Sequence, residues 1–279
     1  MIADSEGSTT SSSYSRYLLV RHMNKSPTIC FVTAGGHHPW IIANALAARF
    51  GDALVLVTEE PESKWHVVQR RARKVGWLNA AGQLGTMAFI RLGKLALGSR
   101  IQRQITQQRL EVEPPRVQKV VTVPSVNSEA FVQAIADLQP DLVFLAGCRL
   151  MTTNTLRRMR CPVINYHAGI TPKYRGMNGG YWALATGEPD QFGSTIHLVD
   201  EGVDTGPILR QVRCLPEPGD SIITYPYTLA AASRTACVQV VEDMLAGRME
   251  AIPAAGQSRQ WYHPPIWTYL WTGLTARVW

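Results

Sequence analysis

An α/β fold, a mostly parallel sheet with helices on both faces, is the architecture this sequence predicts. Three observations carry it. Short, almost wholly apolar runs recur at residues 28–34 (TICFVTA), 53–57 (ALVLV), 141–146 (DLVFLA) and 163–166 (VINY). Strands without polar alternation are buried on both faces, the situation of strands in a covered parallel sheet. The first run ends in Gly35-Gly36 and leads into a helical pattern, and strand, turn and helix together open an α/β unit. The chain has 279 residues, 46% of them hydrophobic and 18% charged, which suits one large domain with its own core. That balance excludes a disordered chain. No unbroken apolar run reaches the roughly 18 residues of a membrane span.

The elements follow in order. Residues 1–26 crowd Ser and Thr at 8–13, carry Asp4 and Glu6, and lack the apolar centre of a secretory signal; they read as a disordered leader. The main domain, 27–214, opens with the strand 28–34, a helix over 39–50 and the strand 53–57. A helix over 128–138 comes next, its first turn capped by Asn127 or Ser128. Pro140 and Gly147 bound the strand 141–146, and the strand 163–166 follows. Residues 192–199 (FGSTIHLV) form a further strand, with 208–212 as its neighbour. The last segment, 215–279, holds a helix over 228–245, ended by Gly247, and an aromatic tail. In that tail Trp267, Leu270, Trp271, Leu274 and Val278 fall on one helical face.

A basic insertion separates the second strand from the helix at 128. Residues 64–110 hold Lys64, Arg70, Arg71, Arg73, Lys74, Arg91, Lys94, Arg100, Arg103 and Arg109 and no acid. Without those ten, 18 basic residues face 21 acids, so the net charge of +7 belongs to the insertion and says little about a substrate. The segment reads as helical, although Gly82 and Gly85 weaken any single straight helix. Trp77, Leu84, Phe89 and Leu92 need cover, which points to packing on the aromatic tail or to a homodimer. A nucleic acid or an anionic membrane surface is the alternative partner for clustered, unopposed Arg and Lys. Five scattered cysteines without a C-x-x-C pair read as reduced thiols of a cytoplasmic protein. His37 and His38 have no further ligands in sequence, so no metal site is expected.

The chemistry concentrates in residues 161–211. A strand ending Asn165-x-His167 sets an amide and an imidazole on the same face, because strand side chains alternate. They stand at the carboxyl edge of the sheet, where open α/β folds bind ligands. Downstream, residues 196–207 (IHLVDEGVDTGP) run from a strand into a turn with three acids and two glycines.

These two motifs, INYHAGITPKYRG and IHLVDEGVDTGPIL, resemble the folate-dependent formyltransferase family, which includes glycinamide ribonucleotide, methionyl-tRNA and amino-sugar N-formyltransferases. The family pattern is Asn-x-His, a loop closing on (Arg/Lys)-Gly, then Asp-x-Gly-x-Asp-Thr-Gly, and a helix over 178–187 is expected between the motifs. The resemblance implies a Rossmann-like formyltransferase fold and transfer of a formyl group from 10-formyltetrahydrofolate to a primary amine. It makes Asn165, His167 and Asp204 the catalytic residues: Asn165 and His167 donate to the developing oxyanion, and Asp204 orients His167 or a water and relays the proton of the amine. Folate would lie against Cys148, Arg149, Leu150 and Met151 on one side and His197, Val199, Asp200, Glu201, Gly202 and Val203 on the other. Gly35, Gly36, His37, Tyr174 and Arg175 are the candidates for holding the acceptor.

The sequence also departs from the family. Gly35-Gly36-His37-His38-Pro39 stands where glycinamide ribonucleotide enzymes keep Gly-x-Gly-Ser-Asn, which argues against the purine substrate and leaves a nucleotide-linked amino sugar as the leading acceptor. The alternatives are methionyl-tRNA as acceptor, hydrolysis of the formyl donor, or a non-catalytic module that binds nucleic acid or membrane.

Overall fold

The computed structural model describes residues 26–62, 69, 72, 73 and 76–279. In chain order its elements are β1 (Ile29–Thr33), α1 (His37–Phe50), β2 (Leu54–Glu59), α2 (Trp77–Ala96), α3 (Gly98–Gln107), β3 (Lys119–Val123), α4 (Glu129–Leu138), β4 (Leu142–Ala146), α5 (Thr153–Leu156), β5 (Val163–His167), β6 (Arg175–Gly176), α6 (Gly179–Ala185), β7 (Gly193–Leu198), β8 (Ile208–Arg213), α7 (Tyr225–Leu245), β9 (Gln260–Trp261) and α8 (Ile266–Ala276). The leader, together with Lys64, Arg70, Arg71 and Lys74 of the insertion, lies outside the described residues.

Seven strands form one sheet in the order β3-β2-β1-β4-β5-β7-β8. The first five run parallel, and β7 and β8 are added antiparallel. Alternation along each strand feeds two cores. Ile29, Phe31, Phe144, Ile164 and Tyr166 meet Trp40, Ile42 and Leu46 of α1 and Val240 and Val241 of α7 on one face. Cys30, Val32, Val143 and Val163 meet Phe131, Val132 and Ile135 of α4 on the other. Burying a large aliphatic or aromatic side chain stabilises by about 1.5–3 kcal/mol, so this double cover explains why the strands read as unbroken apolar runs. Ser128 caps α4, its hydroxyl accepting from the Phe131 N–H, which satisfies one of the donors left open in the first turn.

β3 has no counterpart among the strands expected from the sequence. It is the outer strand of the sheet, and Lys119, Val120 and Thr122 are exposed on it. Its KVVTV run has Val121 and Val123 turned to the core, while Lys119, Val120 and Thr122 face water, so its apolar signal is shorter and more broken than that of the inner strands.

Three features of the insertion and tail follow from how they pack, the first being the expected packing of the insertion on the tail. First, α2 continues through Gly82 and Gly85. Both glycines lie beneath α8: a Cβ at Gly82 would stand 2.4 Å from the Trp267 ring and 2.9 Å from Pro265, and one at Gly85 would stand 3.3 Å from Ile266. The loss of helix propensity is the condition for close helix contact. Gly82→Leu is therefore expected to push α8 off α2 and destabilise the fold by about 1–3 kcal/mol, measured by urea unfolding.

Second, the face of α8 that carries Trp267, Leu270, Trp271 and Leu274 points outward. Its buried side is Tyr269, Thr272 and Gly273. Tyr269 packs against Phe89, Tyr181 and Trp279, and the missing side chain of Gly273 lets the Trp279 ring lie on the helix. Trp77 and Leu92 are exposed as well.

Third, the tail returns to the main domain. β9 pairs in parallel with β6. Trp261 stacks on Trp182 at 4.5 Å and on Tyr174 at 6.0 Å. Arg259 lies over the Trp261 ring at 3.7 Å, a cation held against the negative face of the indole. α7 and Tyr269 share the core of β1, β4 and β5.

Candidate active site

β5 sets the site. Ile164 and Tyr166 are buried in the core, while Asn165 and His167 point the other way, as strand alternation requires. β7 lies antiparallel beside it and places His197 opposite Asn165. The chain beyond β7 folds over on Asp200, whose carboxylate accepts from the Gly202 N–H and the Thr205 hydroxyl, a side chain closing its own turn. That turn brings Asp204 back to β5 with a left-handed backbone, φ 51, a conformation that Asp tolerates better than most residues.

Asp204 becomes the hub. Its Oδ2 accepts from the Gly176 N–H at 2.9 Å and faces His167 Nδ1 at 3.4 Å. Its Oδ1 accepts from Asn165 Nδ2 at 3.3 Å and lies 3.5 Å from His197 Nε2. His197 Nδ1 donates to the Leu198 carbonyl, and Nε2 accepts the other Asn165 N–H at 3.2 Å, because a neutral imidazole with its proton on Nδ1 keeps a lone pair on Nε2. His167 Nε2 donates to the Tyr174 carbonyl at 2.7 Å. Each amide hydrogen of Asn165 is thus occupied, the bond to Asp204 being the longer. A carbonyl oxygen entering the cleft would compete for that N–H.

Burial alone would raise the Asp204 carboxyl. The imidazole of His167 and the Gly176 N–H outweigh it and hold the group well below its ordinary 3.8, since charge and donors placed on a carboxylate favour its ionised form. A carboxyl depressed in the folded state stabilises fully above its unfolded value and loses that contribution as pH falls through the lower folded one. The gap in melting temperature between the parent and Asp204→Asn is therefore expected to be widest above about pH 4 and to close in stronger acid, read from thermal unfolding across pH.

The cluster stands on the wall of a cleft of about 570 Å³, within the size range of small-molecule sites. The cleft is walled by the turn after β4, the turn after β7, the β6 loop and residues 260–263 of the tail. Among the described residues no group of His, Cys, Asp and Glu could hold a metal ion, and no helix is long and apolar enough to cross a membrane.

The Formyl transferase family model matches residues 93–241, more than half of the chain. The chain belongs to the formyl transferase family. Methionyl-tRNA formyltransferase of Desulfotalea psychrophila is 32% identical over 127 residues, 45% of this chain and 39% of that one. The chain thus spans about two fifths of the length of the curated relatives it matches. Its fold is shared with solved formyltransferase structures. Phosphoribosylglycinamide formyltransferase from Anaplasma phagocytophilum superposes with a TM-score of 0.54 at 16% identity, over 84% of this chain and 97% of that one. An N-formyltransferase from Helicobacter canadensis, solved with folinic acid and dTDP-3-aminofucose, gives 0.53 at 12% identity, over 84% of this chain and 70% of that one.

The structure sorts the expected residues. Cys148, Arg149, Leu150, Met151, His197, Val199, Asp200, Gly202 and Val203 all border the cleft, as do Asn165, His167 and Asp204. Glu201 does not; it points outward and pairs with Arg157. Asp200 spends its carboxylate on its own turn. Burial and the nearby Glu59 push the Cys148 thiol up to about 12, so it remains a neutral wall residue and not a nucleophile.

Three placements on the acceptor side change. Gly35 and Gly36 form the turn before α1, and His37 turns aside to bond the Tyr227 hydroxyl at 2.7 Å; His38, one position on, is the histidine at the cleft. Tyr174 is buried and bonds Thr186 and Glu188. Arg175 donates to the Val203 carbonyl and to Ser258. Tyr174 and Arg175 therefore build the loop that fixes His167 and Asp204 instead of facing an acceptor.

Residues that the sequence does not single out complete the wall. Gln83 of α2, Tyr225 of α7 and the pair Asn178 and His263, bonded at 2.9 Å, all come from distant segments. Glu59, at the end of β2, has a wholly buried side chain. It accepts from the backbone N–H groups of Val126 and Arg149 at 2.7 Å each and from the Arg149 guanidinium at 3.2 Å. Arg149 adds bonds to the Pro124 and Glu60 carbonyls. Its guanidinium is thereby tied to the β2 and β3 ends, and the turn at 148–151 is held against the cleft.

Proposed function

We propose that the chain transfers the formyl group of 10-formyltetrahydrofolate to a primary amine of a small molecule, with a nucleotide-linked amino sugar as the acceptor class. The observation that carries this reading is the convergence of Asn165, His167 and Asp204 on one wall of a cleft of small-molecule size.

The residues fit a folate-type donor. The turns at 148–151 and 199–203 both border the cleft and offer backbone groups together with the apolar side chains of Leu145 and Met151, a lining suited to a flat, polar-edged ring. The donor brings an activated formyl carbon. Asn165 exchanges its long bond to Asp204 for the oxygen on which charge develops when the amine attacks. His167 reaches the reacting atoms by giving up the Tyr174 carbonyl, which frees an N–H. Asp204, ionised and facing that ring, stabilises the positive charge of the proton the ring takes from the attacking amine, and the ring returns a proton to the leaving nitrogen of the donor as its bond to the formyl carbon breaks.

The acceptor class is supported by the histidine-rich first turn, by polar groups of His38, Gln83 and Tyr225 at the cleft, and by the amino-sugar ligand named for the Helicobacter canadensis neighbour. The test is to incubate the chain with 10-formyltetrahydrofolate and a panel of nucleotide-linked amino sugars, glycinamide ribonucleotide and methionyl-tRNA, and to identify the formylated product by mass. Product from an amino sugar is expected. Product from methionyl-tRNA alone, or release of formate without any amine, would overturn the acceptor assignment.

A further inference from the structure

Outside the cleft, the largest unexplained feature is the outer surface of α2 and α8. Leu78, Gly82, Gly85, Phe89 and Leu92 recur at the three- and four-residue spacing of one helical stripe. α8 lies across the middle of that stripe, with Trp267 over Gly82 and Ile266 over Gly85. Leu78 and Leu92 are left exposed to either side of α8, on the face it covers. α8 itself turns Leu270, Trp271 and Leu274 outward, Trp271 being 69% and Leu274 75% exposed. Folding the chain has left this apolar surface uncovered, and patches of this kind mark interaction sites.

The charge of the segments that carry it is one-sided. Residues 64–110 and 251–279 contain no Asp or Glu at all, while Arg91, Arg103 and Arg277 are exposed on them. Clustered tryptophan and leucine on one face, with arginine on the same segments and no acid, is the composition of a helix lying in the headgroup layer of an anionic bilayer. A second copy of the chain fits less well. A two-fold contact would set these arginine-bearing segments against themselves, and like charges facing each other repel.

We propose that α2 and α8 form a docking face for an anionic lipid bilayer, with Trp271, Leu274, Leu270, Leu78 and Leu92 entering the headgroup boundary and the exposed Arg91, Arg103 and Arg277 of these segments meeting lipid phosphates. The contact is peripheral, since no described helix is long and apolar enough to cross. α2 also sends Gln83 into the cleft, and α8 begins three residues after His263 on the cleft wall, so the docked face adjoins the site.

Flotation of the whole chain with vesicles of phosphatidylcholine, or of phosphatidylcholine mixed with phosphatidylglycerol, tests this. The chain is expected to float with the mixed vesicles only and to be released by raised salt. Trp271→Ser with Leu274→Ser should lower the partition at least tenfold, because two exposed apolar side chains no longer leave water. Arg91→Gln and Arg103→Gln should each lower it about fivefold. Both sets lie outside the catalytic cluster, so unchanged circular dichroism and unchanged formyl transfer to a soluble acceptor show that the fold is intact. Failure to float, equal flotation with neutral vesicles, or flotation unaffected by the Trp271→Ser, Leu274→Ser pair would overturn the proposal. So would a dimeric mass in solution that reverts to monomer in that pair, because the face would then be covered by a second copy.

Discussion

Replacing Asn165 by Ala is expected to lower kcat for formyl transfer by about 10²- to 10³-fold, with little change in KM for the formyl donor. The side chain donates to His197 and Asp204 in the resting site and has one long bond to trade for an oxyanion. That bond strengthens only as charge develops, so its loss falls on the transition state and not on ground-state binding. Stability should suffer modestly. His197 Nε2 and Asp204 Oδ1 lose a donor, which costs about 1–3 kcal/mol where no water replaces it. Steady-state kinetics beside a urea melt separate the two effects, and equal losses in KM and stability with kcat preserved would assign Asn165 a purely structural part.

Glu59→Ala is expected to cost about 3–5 kcal/mol of stability, the largest single-residue loss outside the apolar core. The carboxylate is fully buried and answers two backbone N–H groups and one guanidinium. Removing it strands both amides away from water and takes one acceptor from the Arg149 guanidinium, which keeps the Pro124 and Glu60 carbonyls; the penalty comes chiefly from the stranded amides. At about 2–4 °C per kcal/mol for a domain of this size, the melting temperature should fall by roughly 6–20 °C. Glu59→Gln keeps a carbonyl acceptor and should fall between parent and Ala. Because the Arg149 amide is one of the tethered groups, the turn at 148–151 should loosen in both variants and raise KM for the folate donor while kcat changes less. A melt and a donor titration on the same preparations check the pair of effects.

Much of this molecule is legible from its residues, for reasons that differ by element. The inner strands announce themselves because burial on both faces forbids polar positions, and Asn165 and His167 stand out as the polar break at the end of such a strand. Their shared face follows from strand alternation alone. Asp204 needs more, since only the turn built by Asp200 and Thr205 brings it to them; the motif, not the spacing, points there.

What escapes reading is mostly what one sequence position says about another far away. β3 is an exposed outer strand with a shorter, more broken apolar signature. The two glycines of α2 look like helix breakers because the ring that needs their space belongs to the far end of the chain. The apolar face of α8 invites burial, yet a helix with two unlike faces gives no indication of which one the fold will use until Tyr269 is placed. His37 and His38 illustrate the finest scale. Consecutive helical residues point about 100° apart, so one bonds Tyr227 and the other reaches the cleft. Tyr174 and Arg175 are polar and near the motif, which suggests an acceptor, whereas the structure uses them to hold the motif in place. Glu59 carries a weak signal, an acid closing an apolar strand, and its role becomes clear only with Arg149 beside it.

The proposed formyl transfer rests on the cluster of Asn165, His167 and Asp204. The direct measurement is amine-dependent release of tetrahydrofolate from 10-formyltetrahydrofolate, followed side by side for the parent chain and Asn165→Ala. Turnover that requires the amine and falls by at least about 10²-fold in the variant is the expected result. Turnover that is absent from the parent with every acceptor in the panel, or identical in the two proteins, would contradict it.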